Sequence, residues 1–464
     1  MRNVTGVALA VVLGVWSGHA RAADPEALVG ALRDALPDDV AVDHGAMHDE
    51  GDGAVVEKLR LVRLGASLEV ERLAVEGVEP AADGAVGRIA RMTADDLTFT
   101  HVGEGRLTIR RASAEEVDVS ALAALFQPSA SPEALATLNM GGLEASGLAL
   151  GLDDGFATID RLDVGPVVDG LLAEVTLSRI MATMSGEGRL TIERAAANNL
   201  ALDLWARSVT GSDLSALSMG VTEDGPVTLA VDAVVFDDGE DPIAIDGIVQ
   251  KIFREGDGRI ATTLDAGPLR VPAKRVRRAQ EDMGGLVAGP ERDLELMLHS
   301  RSTVNVENRA SDVAIDVDAE GFGHLDVQML GRALDNVGMM PALDFQAGQP
   351  DMPSTIERMV LTYRDAGLAR AAVHGMAEAM GVDPATFAVQ MMAFARMPLA
   401  SMMTPRISTA LSGFEQFLAD PGVLTIRLEP AEPVPLDDIT GLGMVDPGGL
   451  LDRLQLEVEA APPE

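Results

Sequence analysis

Apolar positions along the chain follow two periods in turn. Over most of residues 50 to 345 they alternate with polar ones, the period of a strand whose side chains point to opposite faces. Val227, Leu229, Val231, Ala233 and Val235 alternate with Thr228, Ala230 and Asp232. Leu200, Leu202 and Leu204, then Val313, Ile315 and Val317, then Leu325, Val327 and Met329 repeat the pattern. Asp154-Gly155, Asp238-Gly239 and Asp257-Gly258 punctuate it with residues that tolerate the positive φ of tight hairpins. An antiparallel meander is expected.

Around residues 347–354 the period becomes helical. One helix is predicted over 365–380. A second opens at Asp383-Pro384 and carries Phe387, Met391 and Phe394 at i, i+4 and i+7. A third opens at Thr404-Pro405 and carries the stripe Ile407, Leu411, Phe414 and Leu418. Strand character returns at 424–428 and 454–458, and a short helix is expected at 26–36. The predicted fold class is mainly β: a long curved antiparallel meander sheet forming an open trough or incomplete barrel, with a C-terminal three-helix segment and closing strands. The β-rich segment is placed at 23–345 and the helical segment with its closing strands at 346–464.

One phrase occurs twice. GEGRLTIRRASA starts at Gly103 and GEGRLTIERAAA at Gly186. In both, a Gly-Glu-Gly turn feeds a strand with Leu and Ile on one side, so the repeat reads as one turn-and-strand device used twice in a sheet. It is no phosphate loop, because it runs into a strand rather than a helix and lacks the Lys-Ser/Thr such loops need.

The first residues change the compartment. Arg2, an apolar stretch from Val4 to Trp16 and then Ala20-Arg21-Ala22 form the pattern of a secretory signal peptide, cut after Ala22. The stretch is shorter than the ~20 residues a bilayer core requires, and no later run reaches that length, so no stable span is expected after cleavage. Losing Arg2 and Arg21 and no acid takes the formal net charge from −37 to −39. Nucleic acid is excluded as a partner by that charge. The charges are interspersed among 47% hydrophobic residues, which argues against disorder. Aromatics make up only 3%, so the apolar surface is built from Leu, Val, Ala and Met, broad rather than centred on a few rings.

Chemistry is thinly represented. The chain has no Cys, no G-x-S-x-G and no H-E-x-x-H, and no enzymatic activity or cofactor is expected. His44 and His48 are four apart among acids and are the weak candidates for a metal, if a helix aligns them. Residues 339–403 hold 11 of the 22 Met, and flexible thioethers suit adaptable apolar surfaces. Met376, Met380, Phe387, Met391, Phe394, Met397, Leu411 and Phe414 are the candidate lining of an apolar groove. Lys274, Arg275, Arg277 and Arg278 belong to a basic island at 251–278 that could dock an anionic partner; an ordinary solvated helix face is the plainer account.

The phrases TIERAAANNLALDL, VEKLRLVRLGASLEVERLAVEGVEP, LTYRDAGLARAAVHGMAEAMGVDP and FLADPGVLTIRLEPAEPVPL resemble uncharacterised envelope proteins of Gram-negative, alphaproteobacterial type. In style the chain is similar to the AsmA/TamB-like proteins, whose sheets curl into a trough and which are implicated in moving lipid between membranes. Those proteins keep an N-terminal membrane helix, whereas a cleaved leader is read here, and that departure favours a soluble shuttle or accessory. The resemblance thus implies a periplasmic protein that takes a lipid or acyl-chain ligand. Physical reasoning leads the same way, since about 120 C-terminal residues are few to cover some 300 of sheet. The other reading is an envelope assembly factor with a protein partner and no lipid.

Overall fold

The computed structural model describes residues 40–462, together with Glu26 and Val29, except 52, 64, 81–85, 102–104, 119–137, 153–154, 185, 187, 203–224, 257, 283–292, 306, 333–353, 400–402, 437 and 440–445. The expected signal peptide (1–22), most of the 26–36 helix, Leu204, Met339, Met340, Met352 and Met402 lie outside the described residues. Two compact units divide the chain, Met1–Asp238 and Gly239–Glu464. That division falls inside the segment the sequence pattern treats as one β-rich stretch.

The first unit contains β1 (Ala41–Asp43), β2 (Met47–Glu50), β3 (Gly53–Arg63), β4 (Ala66–Pro80), β5 (Val86–His101), β6 (Gly105–Asp118), β7 (Gly142–Leu152), β8 (Gly155–Val164), β9 (Val167–Val168), β10 (Leu171–Met184), β11 (Gly188–Ala201) and β12 (Val227–Asp237). From β3 to β12 they form an antiparallel meander in which β9 is a short companion of β10. The small strands β1 and β2 both pair with β3. Among the described strands no pairing joins β12 back to β3, so the sheet is not closed into a barrel.

A regular two-residue alternation does not persist through these strands. In β4 the buried residues are Leu68 and Val70, then Leu73 and Val75; in β6 they are Leu107 and Ile109, then Ala112 and Ala114, then Val117. Each of the nine long strands takes a three-residue step in which two neighbouring side chains point outward, and these steps are aligned; a further skip crosses β4 to β6 at Gly77, Ala90 and Glu116, and another joins β10 to β11 at Ala173 and Asn199. Pairing skips Lys58 opposite Glu71, Glu71 opposite Asp96, Asp96 opposite Arg110, Arg110 opposite Gly147, and so on through Asp160, Arg179, Glu193 and Ala233. Alternate strands meet the step with a left-handed residue: Lys58, Asp96, Gly147, Arg179 and Ala233 have φ of 51°, 51°, 63°, 50° and 51°. Because both partners carry the irregularity, the register is kept while the side-chain phase changes on every strand at once. In β12 this corrects the expected alternation: Ala233 is exposed at the step, and Val234 and Phe236 continue the inner rows begun by Leu229 and Val231.

The duplicated phrase is part of this device. Its two copies open β6 and β11, entered through Gly105 (φ 114°) and Gly188 (φ 107°), and their dipeptides Arg110-Arg111 and Glu193-Arg194 occupy the step.

The second unit continues the style with β13 (Ile243–Arg254), β14 (Arg259–Val271), α1 (Ala273–Asp282), β15 (Leu294–Asn305), β16 (Ala310–Ala319), β17 (Gly323–Arg332) and β18 (Thr355–Asp365). The predicted helices follow as α2 (Leu368–Met380), α3 (Pro384–Leu399) and α4 (Pro405–Ala419). Last come β19 (Val423–Leu428), β20 (Val434–Pro435), α5 (Pro447–Arg453) and β21 (Glu457–Ala461). Strands β13 to β19 are an antiparallel meander, β21 pairs with β19, and β20 pairs with β18. Side-chain acceptors hold the helix starts, in α2 from Asp365, two residues before the N-cap Gly367. Asp365 accepts from Ala369 N at 2.7 Å, Asp383 from Thr386 N at 3.0 Å, and Thr404 Oγ1 from Ile407 N at 3.3 Å.

Candidate apolar binding face

Because the phase change is shared by all nine long strands of the first unit, four straight rows of side chains cross the sheet on one side. One row runs Leu61, Leu68, Phe99, Leu107, Leu150, Ala157, Ala182, Leu190, Phe236. The next runs Leu59, Val70, Leu97, Ile109, Leu148, Ile159, Ile180, Ile192, Val234. Beyond the step, a third goes from Val56 through Ala112 and Leu177 to Val231, and a fourth from Ala54 through Ala114 and Val175 to Leu229. Every position in the four rows is apolar, and the side chains are aliphatic except for Phe99, Phe236 and Met92. At ~4.8 Å between strands and ~3.3 Å per residue, the face measures about 38 by 25 Å.

Burial divides this face. From β3 to β6, and at Leu143 and Ala145 of β7, the inner side chains are buried; from β8 to β12 most of them are only partly buried, and Phe236 is 37% exposed. The part-open half is on the order of 500 Å², at the upper end of what folded chains leave uncovered without a binding role.

The opposite face is ionic. Opposite one another stand Glu57, Arg72, Asp95 and Arg111, of alternating sign, with Asp95 3.9 Å from Arg72 and 3.7 Å from Arg111. Further along, Arg161 meets Asp163 at 2.7 Å, Arg179 meets Asp160 at 2.9 Å and Arg194 meets Glu174 at 3.3 Å. Exposed pairs of this kind add little stability each, but a charged row on one side forbids the register slip that would turn the apolar rows to water.

In the second unit the sheet supplies its own cover at one end. Helix α4 lies on β19 and β21 through Ala410 and Phe417 against Leu424 and Val458. Residues Leu436 and Ile439 pack on Val313, Met329 and Ile356, and α5 adds Leu450 and Leu454 against Val434. The buried line of α4 is Ile407, Ala410, Gly413 and Phe417, one row over from the expected stripe, so Leu411 and Phe414 are at its margin. Gly413 explains the offset: a Cβ there would sit 2.5 Å from Val458 O, and its absence brings this side of the helix onto the strand.

The other groove candidates separate. Phe387 is buried with Val373 and Ala377, and Met376 packs at the edge of that cluster. Met380, Met391, Phe394 and Met397 are exposed, the last two at 67% and 64%. Helix α3 is therefore apolar on two sides and buries only one.

The basic island is divided: Lys251 and Arg254 are on β13, Arg259 and Arg270 on β14, and the four candidate residues on α1, which faces acids of the β12–β13 turn. Lys274 is 3.8 Å from Asp241, Arg275 donates to Asp241 O, and Arg278 pairs with Glu240. Arg277 is exposed on the same helix. His44 falls in the turn between β1 and β2 and His48 in β2, so the helical alignment a metal pair would use is not formed; the described residues contain no cluster of three metal-ligating side chains. His299 pairs with Asp265 at 2.8 Å and His324 with Asp316 at 3.0 Å.

Sequence reasoning missed the step, although its signal is written nine times. VEKL, VERL, ADDL, IRRA, ASGL, IDRL, LSRI, IERA and VDAV, from Val56–Leu59 to Val231–Val234, each hold two outward residues between two inward ones. Only the two copies that also share flanking letters stand out by identity. Among the described residues no helix is long and apolar enough to cross a membrane. No curated protein matches the chain. A family model described as an uncharacterized protein matches residues 316–461, which takes in the helical cover of the second unit and leaves the nine-strand apolar face outside it.

Proposed function

We propose that this is a non-enzymatic periplasmic protein that holds a lipid or another extended aliphatic ligand against the apolar sheet face, and serves envelope lipid traffic as a carrier or accessory. The single observation behind the reading is the part-open half of the four-row face, β8 to β12, which offers aliphatic side chains and no hydrogen-bonding group. A peptide laid there would leave its backbone N–H and C=O groups without partners, at about 1–3 kcal/mol each. A hydrocarbon chain loses nothing, and each buried CH₂ gains about 0.8 kcal/mol.

Organic extraction of the purified protein followed by lipid mass spectrometry tests the reading. Acyl species near one per chain support it, and repeatedly empty preparations overturn it. Phe236→Asp, at the most open position of the rows, should lower that occupancy at least tenfold while leaving the far-ultraviolet circular dichroism unchanged.

A further inference from the structure

In the second unit, the side of the sheet that carries Ile252, Leu264 and Val313 is interrupted by polar residues. Register opposes Thr262 to Ile252 on one side and Ser302 on the other, and Leu264 to Gln250 and Ser300. Gln250, Thr262, Ser300 and Ser302 therefore share one patch on the side of the sheet that carries Ile248, Ile252, Leu264, Leu298 and Val313. Gln250 is 8% exposed and Thr262 6%, and Gln250 Nε2 and Thr262 Oγ1 have no hydrogen-bond partner among the described residues. Buried groups left in this state are rare, because each has given up its bonds to water.

The charged neighbours Lys251, Asp265, His299 and Arg301 alternate to the other side, so the patch offers neutral donors and acceptors only. A phosphate or a carboxylate would be buried there without a cation. A carbonyl oxygen, with two lone pairs and no charge, suits one amide N–H and one hydroxyl.

Resting on the carrier reading, we infer that this patch recognises the ester linkage of an acyl lipid, with Gln250 Nε2 and Thr262 Oγ1 donating to its carbonyl oxygen and the flanking Ile and Leu side chains receiving its chain. Delipidated full-length protein is titrated with methyl decanoate and with undecane, each read by displacement of an apolar fluorescent dye. The wild type should prefer the ester about tenfold. The variant Q250L/T262V should bind undecane as the wild type does and lose the preference, and S300A/S302A should weaken it in the same direction without touching the two donors. No ester preference in the wild type, or an equal one in Q250L/T262V, overturns the inference and leaves the carrier reading standing. Failure of the wild type to bind either probe overturns both.

Discussion

Gly413 shows how much one missing methyl group positions. Its Cα faces Val458 so closely that a Cβ would meet backbone oxygen and carbon at 2.5 and 3.0 Å, and β21 cannot give way without leaving β19. Gly413→Ala should lower the thermal midpoint by several degrees, read by calorimetry, through the loss of packing between α4 and the strand rather than through helix propensity, which the substitution improves. Gly188→Ala meets Asp237 O at 2.7 Å and also forbids a φ of 107°, so it should destabilise the second copy of the repeat. Asp383 acts by charge. The hydrogen bonds from Thr386, hydroxyl first and then backbone N–H, hold its carboxyl below the ordinary carboxylate range. A depressed carboxyl stabilises above its unfolded value and loses that contribution as pH falls through the folded value. Protection factors at the start of α3, taken relative to the intrinsic exchange rate at each pH, should thus hold at neutral pH and fall as pH drops below about 4, a dependence that Asp383→Asn should remove.

At the scale of elements, the step across nine strands sets the chemistry of the face. Five strands meet it in the left-handed region, four of them with non-Gly residues, each at a cost of roughly 1–2 kcal/mol. Ala233→Gly should therefore be neutral or stabilising, and Ala233→Val, whose branched Cβ tolerates that region worst, should destabilise by at least about 1 kcal/mol in urea titration. Helix α3 makes the opposite point, that an apolar side chain on a predicted stripe need not be core. Phe387→Ala should cost about 3–5 kcal/mol, whereas Phe394→Ser, on the exposed side, should leave the midpoint unchanged.

At the largest scale, no Asp or Glu is buried among the described residues, and the ionic rows use the Arg residues locally. Moderate salt should accordingly shift the denaturation midpoint little, since exposed pairs contribute about 0.2–1 kcal/mol each and screening of the net negative charge works in the other direction. Alternation, hairpin punctuation and the Asp-Pro and Thr-Pro helix starts made the meander and the helices α2 to α4 legible in the letters. The basic island was legible as a cluster but not as a partner of the Glu240-Asp241 turn, because cross-element pairing depends on where a helix lands.

Local chemistry thus determined the elements themselves: which segments are strands, where Asp-Gly hairpins turn the chain, and where Asp-Pro and Thr-Pro start a helix, all decided within a few residues of each position. Tertiary structure decided what those elements share. A two-residue outward step is unremarkable in any one strand, and only pairing in register turns nine of them into four unbroken apolar rows; only packing decides that the rows are buried from β3 to β6 and part-open from β8 to β12. Burial and alignment are properties of neighbours distant in the chain, and no local pattern specifies which distant segment will lie beside which.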